Sequence, residues 1–408
     1  MSNDLVTVLD LGSTKAVCLA ARRTETGALD VVAMAQTPCK GLKRGVVSDL
    51  DETANAVNEV TRKVESALGQ PLGPIVIGIG GAHCEGVNGQ GFVPIVPPTK
   101  PISSDDVLRV VNHSRQLMMP PDREQIQAIP REFRVNGQRG IAKPVGMAGN
   151  KLEVVTYIIT GHSPHIQNLE SALKMAGREV GAMVLVPLAS GLGVLTQQDI
   201  EVGCAVVDIG GGTTDVAVFT AGSIAYHACI PVGGQMVTSD LSKLLKCAPD
   251  EAERLKLKYG ASLARSVPEA DGIDVQQIGT EIPRPMQRRV FAEIIESRMR
   301  EIAVMVRQQI EKSGLFATLP GGVIITGGGS LLPATDLLFE EALQHLRVRK
   351  GVPKVDGQLK HTIARAEMST AVGLAHFAVD NIEGELGTAG SEGWKQRVRS
   401  ILTLFGGK

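Results

Sequence analysis

Two segments of this chain are near-copies of one another: VTVLDLGSTKAVCLA (residues 6–20) and AVVDIGGGTTDVAVF (residues 205–219). Each reads as a β-branched strand that carries an aspartate (Asp10, Asp208), a Gly-rich turn with hydroxyl residues, and a second strand. A chain that repeats a strand–turn–strand unit about half its length apart is constrained to a duplicated plan, one unit per half. The turns also limit the chemistry. Without a Cβ, Gly12, Gly210, Gly211 and Gly212 can adopt φ > 0 and let an oxyanion approach bare backbone N–H groups. Ser13, Thr14, Thr213 and Thr214 add hydroxyl donors, and Lys15 adds a cation. Facing each other, the hairpins would clamp a polyphosphate, with Asp10 and Asp208 placed for a hydrated Mg²⁺. One D-x-G-x-T hairpin is as readily an ordinary tight turn. The duplication favours the phosphate reading.

A third Gly-rich element follows in GGVIITGGGSLLP (residues 321–333). A buried strand runs there into Gly327, Gly328 and Gly329, and then into Ser330, a residue suited to cap a helix. Hairpin, hairpin and strand–turn–helix in that order point to nucleotide binding.

At 408 residues the chain is too long for one small core. Its 43% hydrophobic content supports globular folding, and its 46 glycines fit many tight turns. The formal net charge of −1 gives no global attraction to nucleic acid, and no basic-aromatic stripe is present. The cysteines (Cys18, Cys39, Cys84, Cys204, Cys229, Cys247) show no metal-ligand spacing and read as small core residues. His162 and His165 in GHSPH read as a loop or helix-start feature. The N-terminus begins almost directly with a strand, and the longest apolar stretch, residues 181–195, is shorter than the ~20 residues of a spanning helix. Pro187, Gly191 and Gly193 are expected to break that stretch. The expectation is a cytoplasmic protein that does not span the membrane.

Along the chain, a helical pattern covers residues 49–69, and the continuous apolar strand PIVIGIGG follows, as in a sheet covered on both faces. The expected architecture is α/β, with two duplicated lobes around a cleft and an inserted subdomain in each. Lobe 1 takes residues 1–83, 161–195 and 361–380, with its insertion at 84–160. Lobe 2 takes residues 196–227 and 299–360, with its insertion at 228–298. Residues 381–392 read as a polar linker. The last segment, residues 393–408, carries four positive charges and none negative. On a helix, Trp394, Val398, Ile401, Leu402 and Phe405 gather on one face. Lys395 and Arg399 fall at its edge or opposite, and Arg397 would have to snorkel. Such a helix on a flexible leash suits an anionic membrane interface; docking back on the body is the alternative.

The order of motifs resembles the actin-like ATPase superfamily, and nearly the whole chain is similar to the bacterial FtsA cell-division family. The resemblance runs through KGLKRGVVSDLDE, PIVIGIGGAHCEG, IPREFRVNG, KPVGMAGNKLEV, PVGGQMVTSDL, AERLKLKYG, PRPMQRRVFAEIIESR, TGGGSLLP, STAVGLAHF and GWKQRVRSILTLF. It implies an actin-like fold that binds ATP and Mg²⁺, with the hairpins at the phosphates and the third Gly turn at the adenosine. It also implies Gly233, Glu253 and Lys256 as nucleotide contacts. Read from spacing alone, Glu253 and Lys256 are a solvated i,i+3 pair. Further implications are filaments of self, tethering of the tubulin-like partner FtsZ to the inner membrane face, and recruitment of other division proteins. The FtsZ C-terminal peptide would meet the second insertion, with Arg284, Arg288 and Arg289 as contacts; a solvated helix face is the plainer reading of these arginines. Several actin-like relatives orient the attacking water with a Gln or Glu where this chain has Val186, so ATP turnover is expected to be weak at most. A soluble sugar- or acetate-type kinase is the alternative, although no second motif marks a catalytic base for a substrate hydroxyl. A chaperone is disfavoured because no β-rich peptide-binding domain follows the core.

Overall fold

The computed structural model describes residues 5–98, 100–344 and 346–382. Two five-stranded sheets follow one plan. In lobe 1, Val6–Leu11 pairs antiparallel with Lys15–Arg23, which pairs antiparallel with Leu29–Pro38. On its other side Val6–Leu11 runs parallel to Ile75–Ile79, and that strand parallel to Val180–Leu185. Lobe 2 repeats this strand for strand: Cys204–Ile209 lies between Thr214–Thr220 and Val323–Thr326, with Ser223–Ile230 and Val348–Lys350 at the edges. Ile75–Ile79 is buried at every position, which explains its unbroken apolar run. The turns match as well. Gly12 N–H donates to Lys15 O and Gly210 N–H to Thr213 O, both at 2.9 Å.

Helices fill the space around and between the sheets. Leu50–Leu68 begins where the Asp49 side chain accepts from Glu52 N–H and ends at Gly69 in the left-handed conformation (φ 69°). Between the lobes, helix Val186–Val194 packs on the lobe 2 hairpin, while Ser369–Ile382 packs on lobe 1, and the two helices pack on each other. The residues expected to break the 181–195 stretch sit inside the first of these helices. Pro187 lies in the opening turn, where its missing N–H is no loss. Gly193 permits close crossing, since a Cβ there would lie 2.2 Å from Ser369 O; one at Gly373 would lie 1.7 Å from Ala189 O.

The first insertion has its own small core. Its sheet orders Glu85–Pro94, Lys151–His162, Arg123–Val135 and Gln138–Ile141, and helix Ser104–Ser114 covers it. Ser103 and Asp106 form a reciprocal capping box at that helix. Strand Lys151–His162 runs unbroken past residue 160. The second insertion holds helices Gly234–Leu245 and Pro249–Tyr259 and a hairpin of Gly272–Val275 with Arg284–Gln287. Helix Arg288–Lys312 then crosses residue 298 without interruption. Val237, Leu241, Leu255 and Ile273 share one core with Val207, Val218 and Ile325, so this insertion and lobe 2 fold around common apolar contacts. Five of the six cysteines are buried, and Cys229 is half-buried.

Candidate functional site

Because the sheets repeat one plan, each hairpin turn emerges at the same end of its lobe, and the two turns meet. One pocket is lined by Asp10, Gly12, Ser13, Thr14 and Lys15 from the first hairpin. Asp208, Gly210, Gly211, Gly212 and Thr213 join from the second, and Gly327 and Gly328 from the third Gly-rich turn. The turns touch directly. A Cβ on Gly211 would lie 2.4 Å from Thr14 Cγ2, and one on Gly212 2.5 Å from Ser13 Oγ. This corrects the expectation that these glycines serve by adopting φ > 0, since none of Gly12, Gly210, Gly211 or Gly212 does. Their value is clearance between the loops. Gly327 does need its conformation: φ is 80°, and a Cβ would fall 2.1 Å from Asp208 Oδ1.

Three expected contacts, Thr214, Gly329 and Gly233, and the expected cap Ser330 also make contacts within the fold. The Thr214 hydroxyl donates to Val232 O at 2.8 Å and is committed to the fold. Gly329 packs on Ile209, whose Cγ2 would lie 2.3 Å from an added Cβ. Ser330 caps no helix; its hydroxyl donates to Gly327 O at 2.7 Å within a 3₁₀ turn, and the helix starts only at Thr335. Gly233 lets helix Gly234–Leu245 abut the second hairpin, with Gly234 N–H donating to Gly210 O and Gln235 N–H to Gly211 O.

Glu253 and Lys256 are not a solvated pair. Lys256 is 8% exposed. Its Nζ donates to Glu253 Oε2 at 2.6 Å, Thr238 Oγ1 at 2.8 Å and Gly234 O at 3.2 Å, and the Thr238 hydroxyl in turn donates to Glu253. The lysine thus fastens helix Pro249–Tyr259 to the helix that abuts the phosphate turn. Neither Glu253 nor Lys256 lines the pocket.

Three carboxylates share the cleft floor: Asp10, Asp208 and Asp215. Burial, then repulsion from Asp208, pushes Asp10 up to about 7, and the same two causes push Asp215 up to about 7. Burial also raises Asp208, against hydrogen bonds from Ser190 and Thr370 that favour its charged form. Burial lowers Lys15, and Glu367 and Asp10 oppose that shift. Asp215 Oδ2 accepts from Thr213 Oγ1 at 2.9 Å, and the Cys229 thiol also bonds the Asp215 carboxylate. Crowded carboxylates of this kind suit a cation. Among the described residues no three His, Cys, Asp or Glu side chains are grouped to hold a metal ion.

Several lining residues went unnoticed in the sequence. Asp215 stands where the first copy has Val17, and that mismatch between the copies was the available signal. Leu42, Val46 and Val47 add an apolar wall, and Glu367, Ser369 and Thr370 arrive from the far end of the chain. His83 and His165 line the pocket with ring centroids 4.8 Å apart, although the histidine-rich stretch does, as expected, start helix Ser163–Met175. Val186 faces the same pocket beside Gly78 and Gly80.

In the second insertion Arg284 is exposed. Arg288 pairs with Asp271 at 2.9 Å and donates to Tyr259 O, while Arg289 pairs with Glu269 at 2.5 Å. The expected linker and terminal helix, with Trp394, Lys395, Arg397, Val398, Arg399, Ile401, Leu402 and Phe405, lie outside the described residues. Among the described residues no helix is long and apolar enough to cross a membrane.

Comparison with known proteins fits this geometry. The family model described as "Cell division protein FtsA" matches residues 205–373, and that of the "SHS2 domain inserted in FTSA" matches residues 81–160. The chain is 33% identical to the cell division protein FtsA of Neisseria meningitidis serogroup B, covering 93% of this chain and 91% of that protein. Among solved structures, it is similar to the PilM–PilN type IV pilus biogenesis complex (TM-score 0.63, 16% identity, 92% of this chain and 98% of that one). MreB5 of Spiroplasma citri bound to ADP follows (TM-score 0.56, 13% identity, 93% and 99%). These likenesses establish the actin-like ATPase fold.

Proposed function

Because the chain belongs to the FtsA family of cell-division proteins, we propose that it binds ATP with Mg²⁺ between its lobes and uses the bound state to control self-association. One observation carries this reading: the turns of two duplicated hairpins, one from each lobe, line a single pocket and touch. An anion held there by backbone N–H groups of both turns would tie the lobes together. Ser13, Thr14 and Thr213 add hydroxyl donors, and Lys15 adds positive charge. When bound, Mg²⁺ would neutralise phosphate charge. Asp10 and Asp208 would hold its water shell, which would relieve their mutual repulsion. Val186 offers no group to orient an attacking water, so this reading assigns the protein at most weak ATPase activity and a switching role.

The rest of the proposal follows the family. The protein would sit on the cytoplasmic face of the membrane at the division site, held by residues 393–408 on anionic lipid. It would bind the C-terminal peptide of FtsZ at the second insertion and recruit later division proteins. Arg284, exposed on its strand, is the most available of the three arginines for that contact. The relatives are division proteins over more than nine-tenths of the chain, and no observation favours the small-molecule kinase. Isothermal titration of the full chain with ATP tests the core of the reading. Mg²⁺-dependent binding is expected, and absence of any ATP binding would overturn it.

A further inference from the structure

Asp208 is held in a way the nucleotide reading does not explain. Its Oδ2 accepts from Ser190 Oγ at 2.5 Å and from Thr370 Oγ1 at 3.0 Å. Ser190 is wholly buried, and Thr370 and Asp208 are nearly so. Each hydroxyl has one proton, so if both go to the carboxylate, the 2.9 Å approach of the two hydroxyl oxygens reflects convergence on one acceptor. Ser and Thr within helices commonly bond the carbonyl one turn back. Ser190 and Thr370 instead turn to Asp208. They come from the two helices that cross between the lobes, Val186–Val194 and Ser369–Ile382. Gly193 and Gly373 bring those helices to backbone contact at the crossing. With Oδ2 occupied, Oδ1 is left on the side of the pocket residue Gly327.

We propose that Ser190 and Thr370 are positioning residues: they fix the Asp208 carboxylate toward the nucleotide-bound cation and tie it to both interlobe helices. The cleft's occupancy is thereby felt where the lobes are joined. A carboxylate on a strand end has free torsions, and a water-mediated cation contact depends on where its oxygens point. Two O–H donors on one oxygen remove that freedom, in the way that outer partners orient ligating carboxylates elsewhere. This inference rests on the nucleotide reading of the same pocket.

The test is titration of the full chain with ATP, with Mg²⁺ and with EDTA, for wild type, Ser190→Ala, Thr370→Val and Thr370→Ser. Wild type is expected to bind ATP more tightly with Mg²⁺. That Mg²⁺ increment should fall by about tenfold or more in Ser190→Ala and Thr370→Val, as for the loss of a charge-assisted hydrogen bond. Metal-free affinity is the reference for each variant, so the increment is read apart from any change in direct ATP contact. Thr370→Ser, which keeps the hydroxyl and loses only a methyl, should restore the increment. Hydrogen exchange gives a second readout: Mg²⁺–ATP should slow exchange in both interlobe helices of wild type and not in Thr370→Val. An unchanged increment in folded Thr370→Val, even with a lowered melting temperature, would reduce the hydroxyls to structural groups and overturn the inference. Wild type that binds no ATP would instead remove the nucleotide reading, and the inference with it.

Discussion

A β-carbon at Gly212 would lie 2.5 Å from Ser13 Oγ and 3.3 Å from Arg44 N. Gly212→Val therefore pushes the turns apart before any ligand arrives, and both sides of the clamp lose their aim. ATP affinity should fall at least about tenfold, or ~1.4 kcal/mol, by calorimetric titration; wild-type affinity would mean the hairpins do not share a ligand. Lys256 makes a different case. Lys256→Met removes an ammonium with three oxygen partners in a nearly dry place, leaving Gly234 O and the Thr238–Glu253 pair without their donor. We expect about 1–3 kcal/mol of destabilisation in urea unfolding, against the few tenths that a solvated i,i+3 pair contributes. A change near zero would return this lysine to the surface role suggested by its spacing. The spacing was legible in the sequence and the burial was not, because burial depends on Gly234 and Thr238, which reach Lys256 only when two helices pack.

At the scale of elements, the duplicated hairpins could be read directly, because each is a local strand–turn–strand whose residues meet within a few positions. The third Gly-rich turn was legible as a turn but not as the 3₁₀ segment it forms, since Ser330 bonds back to Gly327 rather than forward to a helix. Contacts between distant elements were beyond pattern reading. The clearest joins the first insertion to lobe 2, where edge strand Ser223–Ile230 packs against Glu85–Pro94 and Arg123–Val135. Tyr157 Oη accepts from His227 N–H at 3.1 Å and lies 3.0 Å from His227 Nδ1. The tyrosine proton can then go to Nδ1, which places the ring proton on Nε2, and the Cys84 backbone bonds the same imidazole. Burial pushes the His227 imidazole down to about 4 from its ordinary 6.5. Between those values the unfolded chain takes up a proton that the folded chain refuses. The stability tied to neutral His227 is therefore complete above about pH 6.5 and is lost as pH falls toward 4. His227→Gln should flatten the fall in melting temperature across that window relative to wild type. Equal slopes in the two proteins would show that His227 ionises freely in the folded state.

For the whole molecule, the repeat of one motif predicted two duplicated lobes, and two five-stranded sheets of one strand plan are present. The crossing of helices Val186–Val194 and Ser369–Ile382 had no sequence signal beyond scattered glycines, because helices that meet at their backbones need only missing side chains. Through that crossing the lobes share one apolar core, in which Phe219 and Ile324 of lobe 2 join Leu9 and Leu19 of lobe 1. A ligand between the lobes thus acts on a body already joined at its base, and it biases how the lobes sit rather than whether they associate. That arrangement suits a switch for assembly. On the proposed reading, residues 393–408 meet anionic lipid with a few cations, each contributing about 1 kcal/mol, which would anchor one copy reversibly. Assembly multiplies such anchors and raises avidity without any new contact. Sedimentation with anionic vesicles should then depend on nucleotide as well as on the tail. Wild type should bind more steeply with protein concentration when ATP is present, Gly212→Val should keep only the weak single-anchor binding, and deletion of residues 393–408 should abolish binding while leaving ATP affinity intact. If Gly212→Val sedimented as well as wild type with ATP, membrane attachment would not depend on the cleft, and the link from nucleotide to membrane would fail.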